Sequence, residues 1–440
     1  LKSKRIFKER NLLLIVYSLI FLLLIFQKAI YSPDTYSYLN AMPYRHLGYV
    51  IFVKLFSLVF GEYFNFAVVV FQSLFCLTGI HFFFKKVSVL LQLTIVLKCL
   101  TLIILFFPLF EPLSVANNVC PEGISYPLYL LFVTLNLEFL FNDNSKILKY
   151  IFVCFLALVF TRGQFMFSSL IFAFVYVVKH KNHILKSGHP SKLLFLMAMP
   201  IVVVLGEMSY HKLKDGIFMT TPFGFVNTST SAFYVSNSND KNLILNTDDR
   251  ALFESCYNSL AEQNLLLSQN KAKNYKNQYL HYQKKLTAIC NRTIHESGKD
   301  YYLKKNSSIS EKTKYLHAKA FYDTEKTCKN LTFILITQNF NKWIQLYAAN
   351  VLHGFHYWLI FIVVVFSFLF SSVKLLFSYK KTHSLLFIFS SLSILNAMIS
   401  ALFTYSIPRL LFYNYALIFL CFVILIVLAK QELKRRTIKS

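Results

Sequence analysis

Apolar runs separated by short basic clusters alternate along most of the chain, and that spacing sets its architecture. A helix crossing a bilayer needs about 20 predominantly apolar residues. Taking such runs as spans places them at roughly 11–31, 63–84, 89–108, 124–141, 148–160, 165–178, 192–206, 355–378, 384–405 and 410–429. Basic residues at alternate ends, among them Lys85 and Lys86, Lys380 and Lys381, and the closing "KQELKRRTIKS", mark cytoplasmic ends. One assignment, with both termini in the cytoplasm, satisfies all of these ends. The stretch 46–60, "HLGYVIFVKLFSLVF", is short and carries Lys54 in its middle, so it predicts an amphipathic helix lying on the outer surface.

Residues 207–345 break the pattern: they are polar, rich in Asn, Ser and Lys, and hold no run long enough to span. The early part, "DGIFMTTPFGFVNTSTSAFYV", alternates β-branched and aromatic residues and predicts strands, whereas the later part has apolar residues three and four apart and predicts helices. The expected fold is therefore an all-α polytopic membrane protein of about ten transmembrane helices. Amphipathic juxtamembrane helices lie in its first outer loop, 32–62, and an outer soluble region is mixed α/β or mainly helical. Its modules are 1–206, 207–345 and 346–440.

Composition narrows the class. Hydrophobic residues make up 56% and charged residues 15% of 440, with a mean hydropathy of +0.50, outside the range of soluble domains. Only 11 Gly and 10 Pro argue for unbroken helices rather than a β-barrel. The formal charge of +26 suits nucleic acid, anionic lipid or topology; its placement beside apolar runs selects topology, and no nucleic-acid-binding motif occurs. The first run has no small-residue cleavage site behind it and reads as an anchored span. No internal repeat supports an inverted-repeat transporter. Of the cysteines outside the spans, Cys120, Cys256, Cys290 and Cys328, the pairing is open, with at least one of the last three free or joined to Cys120. The Lys, Ile, Phe and Asn bias points to an AT-rich genome and a bacterial plasma membrane, where the sequons at Asn227, Asn291, Asn306 and Asn330 stay unmodified.

Candidate chemistry begins at "SPDTYSYL", just past the first span. Ser32 at the N-cap, Pro33 at the first helical position and Asp34 in the first turn make a good helix start. A carboxylate at the water–lipid boundary also serves as a general base for an acceptor hydroxyl attacking a lipid-borne sugar.

An apolar span, then Asp34, Thr35 and Tyr38 in a "D-T-x-x-Y" pattern, then Arg45 and His46, then a "G-Y" opening an amphipathic helix, resembles the first outer loop of GT-C superfamily glycosyltransferases. That superfamily includes protein O-mannosyltransferases and the aminoarabinose transferases of lipid A. The resemblance covers the order of elements over about the first 165 residues and the last 100. It implies a polyprenyl-phosphate sugar donor, a glycan, lipid or protein acceptor, and a site on the extracytoplasmic side. Three further positions resemble the family's pattern: Glu122 at the start of the fourth span, Arg162 after the fifth, and Arg409 before the last. Gly123 stands where an apolar residue is usual, and Leu410 replaces a Tyr. The implied roles are Asp34 as base, Glu122 placing the acceptor or a metal, and Arg45, His46, Arg162 and Arg409 holding the lipid phosphate, whose developing charge guanidinium donors stabilise.

"VLHGFHYW" presents His353 and His356 on one helix side, as donor or metal contacts or as part of an aromatic belt. Two ligands do not make a metal site; no cofactor is implied outright, and a divalent metal stays open. Two other readings compete. A polysaccharide polymerase or ligase using a lipid-diphosphate glycan relies on outer arginines without Asp34. A transporter or flippase needs ionisable residues in mid-span, and only Lys98, Glu138 and Lys374 approach that.

Overall fold

The computed structural model describes residues 2–186, 188–270, 274–306 and 313–439. Among these the fold is helical, with no strand; Ile30 and Asn118 form an isolated parallel bridge. The first half holds α1 (Lys2–Ile25), α2 (Pro33–Leu39), α3 (Leu47–Phe60), α4 (Phe64–Leu90), α5 (Ile95–Phe106), α6 (Glu122–Asn142), α7 (Leu148–Thr161), α8 (Ser168–His180) and α9 (His189–Asp215). A polar region follows with α10 (Gly224–Val235), α11 (Thr247–Glu262), α12 (Tyr275–Thr287), α13 (Glu296–Lys305), α14 (Thr313–Gln338) and α15 (Phe340–His353). The chain closes with α16 (Trp358–Phe377), α17 (Lys381–Phe403), α18 (Pro408–Leu411) and α19 (Tyr415–Lys439).

Seven helical stretches among the described residues are long and apolar enough to cross a membrane: Leu47–Leu90, Glu122–Asn142, Gly163–His180, His189–Asp215, Trp358–Phe377, Lys381–Phe403 and Pro408–Leu433. By length and composition these seven stand where ten spans were expected, and the count of ten is not confirmed. The runs expected at 11–31, 89–108 and 148–160 form shorter apolar helices, and the structure shows what ends or delays each. The chain leaves α1 after Ile25 because the segment behind it turns to pair with residues 117–119: the Ile30 amide donates to the Asn117 carbonyl (2.8 Å) and the Val119 amide to the Ile30 carbonyl (2.9 Å). The second run continues past Lys85 and Lys86 to Leu90, and Thr94 caps the following helix by accepting from the Leu97 amide, so α5 starts late. After α7, Arg162 adopts extended backbone, which turns its side chain out of the helical path. The amphipathic helix expected at 46–60 corresponds to α3, joined to α4 by a short turn.

The expected strands in residues 215–235 are also corrected, because that stretch carries α10. The Glu325 carboxylate accepts the Phe225 and Val226 amides (2.7 and 3.0 Å) at the helix start. The hydroxyls that read as strand-forming donate instead to carbonyls three or four residues back: Thr228 to Gly224, Ser229 and Thr230 to Val226, and Ser231 to Thr228. Propensity yields here to capping from 100 residues away.

Two main apolar cores result. One joins α1, α3–α9, α16, α17 and α19; the other is built from α10–α15 with Tyr405 at its edge. Asn350, at the end of α15, ties the second to the first. Its amide donates to the Ala401 and Thr404 carbonyls (2.9 and 2.8 Å), and its side-chain oxygen accepts the Ser406 amide (2.8 Å). That anchors the turn leading to Arg409. All eight cysteines are free thiols, so neither Cys120 nor the buried Cys256, Cys290 and Cys328 is bridged.

Candidate active site

The segment before α2 is stitched to the loop that leads into α6. Besides the bridge at Ile30, the Thr35 hydroxyl donates to the Val119 carbonyl (3.0 Å), and the Ser32 hydroxyl lies 2.9 Å from the Cys120 sulfur. Asn117 donates to the Leu24 carbonyl at the end of α1 (2.8 Å). Gln72, buried on α4, donates to the Ala116 and Asn118 carbonyls (3.0 Å each). These bonds satisfy backbone groups that a buried loop leaves open, and they fix Asp34 and Glu122 relative to one another. A Cβ on Gly123 would lie 2.4 Å from Gln72, so the glycine that departs from the resembled pattern is required by this brace.

Five charged side chains converge there. Asp34 accepts from Arg45 Nη2 (2.5 Å) through one oxygen and from Arg409 Nη1 (2.7 Å) through the other. Glu122 accepts from Arg162 Nη1 (2.5 Å) and is bonded by Arg409 Nε. Arg409 thus bridges the two acids. The exposure is graded: Glu122 is 4% exposed and Arg162 14%, whereas Asp34 and Arg409 are about one-third open. Three guanidiniums against two carboxylates leave one positive charge in excess. Burial pushes the Asp34 carboxyl up, but the Arg45 and Arg409 charges outweigh it and hold it at about 2.

The arginines are themselves held. Arg45 stacks over Tyr38 (4.7 Å) and Tyr44 (5.3 Å). Arg162 Nε donates to Gln164 (2.8 Å), whose amide donates to Asn396 (2.9 Å) and to the Leu410 carbonyl (3.2 Å). Leu410 contributes through its backbone, so a side-chain replacement there leaves the anchor intact. Gly48 lets α3 approach the end of α7: a Cβ on it would lie 2.8 Å from the Phe160 carbonyl carbon and the Thr161 nitrogen.

Three expected residues lie outside this cluster. His46 faces the other way: its Nδ1 meets Glu207 (2.6 Å), part of a buried polar chain in which the Thr221 hydroxyl donates to Glu207 (2.6 Å), His211 contacts Thr221 (3.3 Å) and Asp215 (2.9 Å), and Tyr322 donates to Asp215 (3.2 Å). His353 packs on Tyr279 (4.8 Å), and His356 Nε2 meets the Tyr415 hydroxyl (3.1 Å). No group of three or more His, Cys, Asp or Glu side chains suited to a metal forms among the described residues. Sequence reasoning passed over Gln72, Gln164, Glu207 and Asn396. The available signal was an isolated polar side chain within or beside an apolar run.

The chain is thus a helical protein with helices of membrane-crossing length and a partly buried acid–arginine cluster at their ends. No known protein family, no curated protein and no solved structure matches it.

Proposed function

We propose that the chain is a membrane-embedded glycosyltransferase of GT-C type, working on the extracytoplasmic face of a bacterial plasma membrane. It moves a sugar from a polyprenyl-phosphate donor to an acceptor hydroxyl with inversion. The observation that carries this reading is Arg409, which binds Asp34 and Glu122 at once while remaining partly open to an incoming anion. Planar guanidiniums bind phosphate oxygens through paired donors, and the excess positive charge favours such a ligand.

The resting cluster also suggests an order of events. At about 2, Asp34 is a poor proton acceptor. A donor phosphate that draws Arg409 to itself relieves Asp34 of one of its two cations and strengthens it as a base. The acceptor hydroxyl then gives its proton to Asp34 as its oxygen bonds to the anomeric carbon. The bond from that carbon to the phosphate oxygen breaks, and the electron pair leaves on the phosphate, held by Arg409 and Arg162. An apolar groove of about 290 Å³ between α8, α16 and α17 is lined by Leu170, Phe174, Phe387 and Met398, close along α17 to Asn396; it suits an isoprenoid tail.

The test is transfer from a panel of polyprenyl-phosphate sugars by the purified chain in nanodiscs, read as released polyprenyl phosphate. Asp34→Asn is expected to lower it by about 10²–10⁴-fold. Activity retained in that variant refutes the assignment and favours a polymerase that works through arginines alone.

A further inference from the structure

Between the turn after α2 and the polar region lies a cavity of about 540 Å³, within the roughly 300–1,000 Å³ usual for small-ligand sites. Its centre is aromatic. The Tyr44 ring meets His295 edge-on (4.9 Å) and Phe321 (5.2 Å), and His295 stacks on Phe321 (5.0 Å). His295 closes a segment, Ala288–His295, wound as a π-helix between α12 and α13, a form found disproportionately at functional sites. Its Nε2 is buried without a hydrogen-bond partner, and buried polar atoms are seldom left so.

The polar groups around these rings come in opposite signs. Lys214 lies 3.5 Å from Asp215, and Glu296 stands one helical turn from Lys299 on α13. Their formal charges cancel, unlike those of the arginine cluster. Such a lining fits a ligand whose groups both donate and accept, as sugar hydroxyls do, and whose ring faces are apolar enough to lie on aromatic side chains.

The cavity adjoins the charged cluster through one residue step. Tyr44 lines it, and the next residue, Arg45, stacks on Tyr44 and binds Asp34. Asp34 and the cavity stand at opposite ends of the seven-residue α2, a separation of about 10 Å at 1.5 Å per residue. We propose that this cavity holds the acceptor, and that the acceptor is a neutral oligosaccharide of more than one sugar unit. Its inner sugars lie against Tyr44, His295 and Phe321 while its terminal hydroxyl reaches Asp34. The proposal rests on the glycosyltransferase reading above.

The experiment measures binding of neutral mono-, di-, tri- and tetrasaccharides to the full chain in nanodiscs, by saturation-transfer NMR without donor, for the parent protein, Phe321→Ala and Lys299→Ala. Binding should appear from the di- or trisaccharide upward and weaken about tenfold in Phe321→Ala and severalfold in Lys299→Ala. Binding of undecaprenyl phosphate should be unchanged in both variants. Phe321 is buried; should its variant not fold, Lys299, on a partly exposed side chain, carries the test. Absence of binding by every neutral oligosaccharide, binding of acidic glycans or peptides in their place, or oligosaccharide binding indifferent to the folded variants overturns the proposal. The enzyme reading is judged separately, by whether Arg409→Ala abolishes undecaprenyl phosphate binding.

Discussion

Replacing Glu122 by Gln removes the one carboxylate shared by Arg162 and Arg409. The side chain is 4% exposed, and Arg162, its partner at 2.5 Å, is 14% exposed, so water can replace little of what is lost. Glutamine keeps the shape and one acceptor oxygen but carries no charge, and the cluster moves from one positive charge in excess to two. Removing one partner of a buried ion pair costs about 3–5 kcal/mol, a large part of the roughly 5–15 kcal/mol that holds a typical domain together. Asp34→Asn makes the same change of charge where Asp34 and Arg409 are about one-third exposed; solvent screening reduces the expected loss to about 1 kcal/mol. Thermal unfolding of both variants in one detergent at pH 7, followed by intrinsic fluorescence, should therefore give a much lower midpoint for Glu122→Gln. The double variant Glu122→Gln/Arg162→Met should recover part of the loss, because the stranded guanidinium goes with its partner. Equal midpoints for the two single variants, or no recovery in the double, would refute Glu122 as the charge anchor.

Other outcomes follow from the same geometry. Asp34, held at about 2, has a folded-state pKa below the roughly 3.9 of an unfolded aspartate; its contribution is present above about 4 and lost as pH falls towards 2, so Asp34→Asn should flatten the acid limb of a stability–pH curve. Glu325 behaves oppositely. Burial pushes its carboxyl up to about 7 against the Phe225 and Val226 amides, so stability should fall as pH rises from roughly 4 through 7. Glu325→Gln should abolish that decline, as circular dichroism melts at pH 5 and pH 8 will show. Gly48→Ala should cost about 1–3 kcal/mol by overpacking, since its Cβ meets backbone of residues 160 and 161. Gly163→Ala, which meets only the His46 ring at 3.2 Å, should cost less in the same melts.

What was legible in the sequence follows from the range of the interactions concerned. Each apolar run contains a helix, because hydrophobic length is a local property, although some of the runs extend past their helix ends. Helix ends were not legible where distant groups set them. Thr94 delays α5 by a cap its own sequence displays, but α10 is capped by a carboxylate 100 positions later. The same division applies to the site. Asp34, Glu122, Arg45, Arg162 and Arg409 stood out as charges beside apolar runs, yet the bond between Asp34 and Arg409 spans 375 positions and no local pattern encodes it. The resemblance grouped His46 with the arginines; α3 begins just behind it, and its ring meets Glu207 instead.

The presence of two acids constrains what the arginines are for. A site that only grips phosphate is weakened by carboxylates, which occupy the guanidiniums and repel the anion. Arginines packed this closely, however, repel one another without a counter-charge, and Glu122, almost wholly buried between two of them, supplies it. That accounts for one acid. Asp34 is not needed for the same purpose at Arg162, stands at the open edge of the cluster, and shares Arg409 with the buried acid. On the glycosyltransferase reading it is the carboxylate an incoming donor phosphate would release first, whereas Glu122 stays pinned between Arg162 and Arg409. On the glycosyltransferase reading the two acids therefore divide the work: Glu122 positions the arginines, and Asp34 takes the proton only once the donor has arrived.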